Sequence, residues 1–252
     1  PTRRSFDLAD RSAEYVNQIF NNHADYSGST HILGAIFFAF QIYCDFSGYS
    51  DIALGTARLF GIELLRNFSF PYFSRDIAEF WRRWHISLST WFRDYLYIPL
   101  GGSKGGMWLK IRNTFIIFLV SGFWHGANWT FIIWGFLNAL YIMPSIIFNT
   151  NRNHLDIVAQ GRLIPNLQEL TAMVITFGLT VFAWIFFRAE SVTDAFAYIG
   201  EIFSASLFTV PYVKPLLLAL AAAFLIVEWL GREGQYALAH FGTNWPRPLR
   251  WA

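Results

Sequence analysis

The residues best equipped for chemistry in this sequence are two histidines in apolar surroundings, His85 in "FWRRWHISLSTWF" and His125 in "SGFWHGANW". His125 is the one side chain titrating near neutrality in the 39 residues from Asn113 to Asn151, a run without Asp, Glu, Lys or Arg. A neutral imidazole in such a setting suits a general base that takes a proton from a hydroxyl. Asn128, one turn on, would orient the ring or bind an oxyanion. Read at helical spacing, Phe80, Trp81, Trp84, His85, Leu88, Trp91 and Phe92 fall on one stripe, with Arg82, Arg83, Ser89 and Thr90 facing elsewhere. Simpler readings stand beside these. The stripe is also what an interfacial helix shows when its arginines reach to water and its aromatics form a belt, and a buried histidine can simply donate to a backbone carbonyl.

The elements that must position these side chains are membrane helices. The chain of 252 residues is 54% hydrophobic and 14% charged, against the ~25% charged residues usual in soluble domains. Tyr26 to Cys44 and Leu170 to Phe187 carry no formal charge, and each is long enough to cross ~30 Å of hydrocarbon at ~1.5 Å per residue. The first is expected to end at "DFSGYSD". The run 113–151 is too long for one crossing, and Gly122, Gly126, Ala127 and Asn128 divide it into two helices meeting near "HGAN". A helix starting near Arg112 places His125 about 20 Å deep, past the midplane, where an ionisable group is costly and usually kept for a pathway or a reaction. An amphipathic stretch, Val192 to Ile202, and a last apolar run, Pro215 to Val227, follow.

Residues 62–112 hold eight Lys or Arg against four acids, so this region is expected to be a basic, interfacial, helical segment on the cytoplasmic face. Ser74 is the expected N-cap of its helix, and Glu79 lies three and four residues before Arg82 and Arg83. The expected architecture is an all-α polytopic membrane protein: one integral membrane domain over 1–252, incomplete at its N-terminus, with about five crossing or half-crossing helices. Continuous rather than alternating apolar runs argue against a β-barrel.

Several functions are excluded. A net charge of +2 gives no basis for a nucleic-acid partner, and the single cysteine, Cys44, rules out an internal disulfide or a Cys-based zinc cluster. No metal site is expected, because no His-Glu-x-x-His is present, and no paired carboxylates suggest a glycosidase. "PLGGSKGG" has amides that could cradle a phosphate, but it lacks the Walker pattern. A transporter and a structural subunit remain as non-enzymatic alternatives.

The ordered segments "QIYCDFSGYSDIALG", "NFSFPYFSRDIAEFWRRWHISLSTWFRDYLYIPLGGSKGG", "SGFWHGANWTFIIWG" and "FAWIFFRAESVTDA" closely resemble the membrane-bound O-acyltransferase family. The best match is its bacterial branch, which O-acetylates alginate and related exported polysaccharides. The resemblance covers roughly Ala9 to Phe208, and members have further helices ahead of this region. It implies a fold of helices, some interfacial or re-entrant, around a funnel open to the cytoplasm, in the bacterial inner membrane. His125 corresponds to the family's near-invariant histidine and His85 to its second. Trp81, Trp84, Arg82, Arg83 and Asn128 are expected to line the funnel or bind substrate. The implied donor is acetyl-CoA or another acyl thioester, with no bound cofactor, and a periplasmic polysaccharide-modifying partner is expected. Asn138 stands where the branch often has another histidine, so a relay through a third imidazole is not expected. D-Alanyl transfer to teichoic acid is the alternative within the same fold.

Overall fold

The computed structural model describes residues 2–238, and side chains from Leu8 onward; the polar tail 243–252 lies outside the described residues. Among these the regular structure is helical: α1 (Thr2–Asn21), α2 (Gly28–Leu59), α3 (Ile77–Arg83), α4 (Ile86–Phe92), α5 (Met107–His125), α6 (Trp129–Ile147), α7 (Leu167–Arg188), α8 (Val192–Ile202) and α9 (Pro215–Gly231). Helices α2, α6 and α7 are long and apolar enough to cross a membrane, and α9 is a shorter apolar helix. Lys110 and Arg112 make the first turns of α5 more polar, yet it has the same 19 residues as α6 and pairs with it.

The division at "HGAN" is the one expected from sequence. Three residues, Gly126 to Asn128, separate α5 from α6, and Asn128 caps α6 by accepting a hydrogen bond from the Thr130 amide at 3.1 Å. The two helices touch backbone to backbone. A Cβ on Gly122 would collide with the Phe131 carbonyl, and one on Gly135 with the Phe118 carbonyl. Such reciprocal small residues let helices associate in lipid, where no hydrophobic drive separates one apolar surface from another.

Three expectations need correction. Helix α2 does not stop at "DFSGYSD" but runs 32 residues to Leu59, ~48 Å at ~1.5 Å per residue, carrying Asp45 and Asp51 inside a helix. Nor do residues 77–92 form one helix with a continuous aromatic stripe. The chain breaks between α3 and α4 at Trp84 and His85, with His85 in the left-handed region at φ 44° and ψ 54°. Ser74 is not the cap either: its hydroxyl donates to the Pro71 carbonyl at 2.7 Å, and Asp76 caps α3 by accepting from the Glu79 amide at 2.6 Å. Asp76 is the residue one turn ahead of Glu79, where a short acceptor reaches the free amide.

Helices α2, α5, α6, α7 and α9 run between two ends of the molecule. One end gathers the segments 60–106 and 148–166, where Arg82 donates to the Asn151 and His154 carbonyls at 2.6 and 2.7 Å. Arg232, after α9, reaches the Val158 carbonyl at 3.0 Å there. The other end gathers the turns 22–27 and 126–128 and the α7–α8 junction, where the Asn128 amide donates to the Glu190 carbonyl at 2.9 Å. The core between the ends is aromatic, with Phe37, Tyr43, Tyr72, Phe80, Trp84, Trp134 and Trp184 all buried.

Gly135→Val is expected to force α5 and α6 apart and to cost about 1–3 kcal/mol, measured as a lower unfolding midpoint in detergent; an unchanged midpoint would mean the helices do not cross there.

Candidate functional site

His125 is the last residue of α5, so the structure places it at the end of that helix, where the hairpin turns. It is partly exposed. Its ring meets Trp124 at 4.9 Å, Trp134 edge-on at 5.2 Å and Phe187 at 5.0 Å. Trp134 and Phe187 pack on each other at 5.3 Å, so α6 and α7 together fix two sides of the imidazole.

His85 is reached from the other end of the core. Its ring packs edge-on to Phe46 at 4.6 Å, and its Nδ1 is buried without a hydrogen-bond partner. Burial first, and then the neighbouring His125, push the His85 imidazole down to about 4. The two histidines expected from sequence are therefore brought within electrostatic reach of each other, and His85 is neutral at physiological pH.

The break that exposes this pair is held by a segment distant in sequence. The Ile86 amide donates to the Asn67 carbonyl at 3.0 Å and the Ser69 amide to the Arg83 carbonyl at 3.0 Å. The Asn67 side chain accepts from the Ser87 hydroxyl at 2.6 Å and donates to the Ser50 hydroxyl at 3.1 Å. Beneath it Glu79, only 1% exposed, accepts from Arg75 at 3.1 Å and from Arg83 at 2.8 Å. Arg75 also pairs with Asp156 at 3.0 Å and holds that carboxyl below the usual carboxylate range.

The residues expected to line a funnel divide into two groups. Arg82 and Arg83 do line a cavity of about 630 Å³ at the basic end, together with Arg66, Arg232, His154 and Ile86, the residue after His85. Trp81 and Trp84 do not line it. The turn at His85 directs both indoles into the core, where Trp84 is 5% exposed and stacks on Phe80. Trp81 packs on Trp134 at 5.8 Å and donates to the Asn138 side chain at 3.3 Å. Asn128 is occupied by its cap and by Glu190 at its two ends and so does not serve the imidazole.

Sequence reasoning missed three positioning residues. Asn67 and Asn138 act through long-range hydrogen bonds that no local spacing announces. Glu228 on α9 accepts from the Tyr43 hydroxyl at 2.6 Å, and a lone acid in an apolar run was the signal for it. Among the described residues no His, Cys, Asp and Glu group could hold a metal ion.

Residues 15–187 match the model of the membrane-bound O-acyltransferase family. The chain is 45% identical over 172 residues to the probable alginate O-acetylase of Pseudomonas aeruginosa, covering 68% of this chain and 31% of that protein. It is 39% identical over 190 residues to the peptidoglycan O-acetyltransferase of Helicobacter pylori, covering 75% and 34%. With the teichoic acid D-alanyltransferase of Streptococcus thermophilus it shares 41% over 119 residues, covering 43% and 28%. The chain thus spans about a third of the length of these curated relatives.

Two measurements check this geometry. Glu79→Gln leaves one buried guanidinium group, Arg75, and one partly buried one, Arg83, short of their carboxylate and is expected to cost about 3 kcal/mol in detergent unfolding. The second concerns pH. The folded His85 imidazole holds its proton only below about 4 and the unfolded one below ~6.5, so between these values the unfolded chain binds the extra proton. Stability therefore falls as pH drops from ~6.5 toward 4. His85→Gln is expected to flatten the decline in unfolding midpoint between pH 7 and pH 5; an equal decline in both proteins would contradict the burial of His85.

Proposed function

Because the chain belongs to the membrane-bound O-acyltransferase family, we propose that it forms the reaction core of a multi-pass O-acyltransferase of the bacterial inner membrane, which acetylates an exported polysaccharide. The observation that carries this reading is the His125 imidazole set between Trp134 and Phe187 at the hairpin turn, in the same helical body as the buried, neutral His85. The donor is acetyl-CoA or another acyl thioester. Its anionic groups are attracted by the cavity of Arg66, Arg82, Arg83 and Arg232, whose neighbour Ile86 adjoins His85.

In the reaction the acceptor hydroxyl gives its proton to His125 while its oxygen attacks the carbonyl carbon of the thioester. The carbon–sulfur bond then breaks, and the proton passes from the imidazolium to the departing thiolate. The products are one ester and one thiol, without net gain or loss of a proton. Catalysis by a positioned base of this kind is worth ~10²–10⁴-fold. His85 stays uncharged beside His125, so it does not oppose the transient imidazolium as a second cation would. No bound cofactor is required by these steps. The relatives' names give alginate and peptidoglycan as what is acetylated, and on this reading the acetyl group is delivered to the far side of the membrane, directly or through a periplasmic acetyltransferase partner. Lipid surrounds the apolar faces; nucleic acid has no place in this reading. D-Alanyl transfer is a second reading, supported by a match over 43% of the chain; the matches over 68% and 75% favour acetyl.

The test is His125→Ala in the full-length protein, assayed in membranes with labelled acetyl-CoA. Label transfer to glycan is expected to fall by ~10²-fold or more with unchanged membrane insertion. Acetylation at the parent rate would overturn the assignment of His125, and transfer of label to no glycan or protein in the parent would overturn the acetyltransferase reading.

A further inference from the structure

A second, smaller cavity lies at the end of the molecule opposite the arginine-lined one. It measures about 250 Å³ and is lined by Phe20 and Asn21 at the end of α1 and His23 after it, and by Arg188, Glu190 and Asp194 around the α7–α8 junction, with Ala189 and Tyr198 completing its wall. Helix α7 has 22 residues, so its Arg188 end stands ~33 Å from its basic-loop end. The cavity is next to the imidazole site. Phe187, the residue before Arg188, is 5.0 Å from the His125 ring, and Asn128 of the hairpin turn is bonded to the Glu190 carbonyl.

The lining is a mixture of donors and acceptors rather than a charged patch. Arg188 lies over the Phe20 ring at 5.4 Å and gives one N–H to Asn17 at 2.7 Å, and among the described residues it has no ion-pair partner. Phe20 stacks on Tyr198 with centroids 4.1 Å apart, which makes the floor rigid. The Asp194 carboxylate accepts from the Ser191 hydroxyl at 2.7 Å and retains further lone pairs, and the Glu190 side chain is exposed. His23 brings an Nδ1 that is buried and without a partner. Two carboxylates against one guanidinium disfavour a polyanion or a phosphate, while carboxylates, an amide and an imidazole suit hydroxyl groups that both donate and accept. The volume suits one sugar ring rather than a drug-sized ligand. Residues 188–198 also lie just past the segment 15–187 that matches the family model, so this wall is separate from the stretch carrying both histidines.

We infer that this cleft is an acceptor subsite that binds a neutral, hydroxyl-bearing sugar unit beside His125. The inference rests on the acyl-transfer reading for the role of the bound sugar, but not for its binding. Together the two cavities give the molecule a division of labour: the anionic thioester arrives at the arginine end, and the hydroxyl acceptor arrives at the mixed-charge end.

The experiment measures binding of an N-acetylglucosamine tetramer, as a neutral probe, to the full-length protein in detergent, with a mannuronate tetramer as the anionic one. Glu190→Gln with Asp194→Asn is the test variant, both positions being exposed and outside the core. Parent protein is expected to bind the neutral tetramer about tenfold more tightly than the variant does, through lost charge-assisted hydrogen bonds, and the mannuronate tetramer is expected not to compete. Equal binding by parent and variant, absence of binding by the parent, or effective competition by mannuronate would each overturn the subsite. Acetyl transfer from acetyl-CoA is followed in the same preparations. Neutral-tetramer binding without transfer in the parent would keep the sugar site and remove the acyl-transfer reading, whereas transfer by parent and variant with equal KM would remove the subsite alone.

Discussion

The structure depends on one interrupted helix and on what satisfies it. Between α3 and α4 the chain leaves helical geometry at Trp84 and His85, and in an apolar setting each freed N–H and C=O must find a partner inside the protein. Asn67 and Ser69 supply those partners, pairing with the backbone of Arg83 and Ile86 and the side chain of Ser87. A left-handed histidine costs ~1–3 kcal/mol and persists only where its surroundings over-determine it. Here the determinants are the Asn67 segment on one side and the buried Glu79 between Arg75 and Arg83 on the other.

From this break the rest of the site follows. Turning the chain at His85 puts its ring against Phe46 while Trp81 and Trp84 enter the aromatic core. The Trp81 contact with Trp134 then continues to His125, because Trp134 also packs on that imidazole. The aromatic core therefore reaches from Trp81 of α3 through Trp134 to the His125 imidazole. The arginines, freed from that frame, clasp the carbonyls of the loop 151–163 and shape the basic cavity. Arg82 bonds only neutral carbonyls there, whereas Arg83 is paired with Glu79 and Arg232 lies 3.7 Å from Glu233, which also lines the cavity.

The two ends of the body differ in charge because the turns do. Turns at one end carry the arginines, and the α7–α8 junction and the α1–α2 turn at the other carry Glu190, Asp194 and Asp25. In the proposed reaction, this asymmetry would draw an anionic donor and a hydroxylated acceptor to different ends.

Much of this was legible in the sequence. The uncharged runs fixed α6 and α7, the residues "HGAN" fixed the hairpin turn, and Val192 to Ile202 emerged as the helix expected. These depend on local composition and on the absence of charge, which lipid enforces segment by segment. The apolar settings of His85 and His125, and the basic character of 62–112, were equally readable. Only the tertiary structure decided that residues 77–92 break rather than continue, since their helical periodicity is good and the groups that reward the break are ~20 residues away at Asn67. It alone decided that α2 runs on through Asp45 and Asp51, and that Asn128 caps a helix and bonds the Glu190 carbonyl. The physical reason is the same in each case: hydrogen bonds and ring contacts between distant segments outweigh local preference, and a one-dimensional pattern carries no record of which segments will meet.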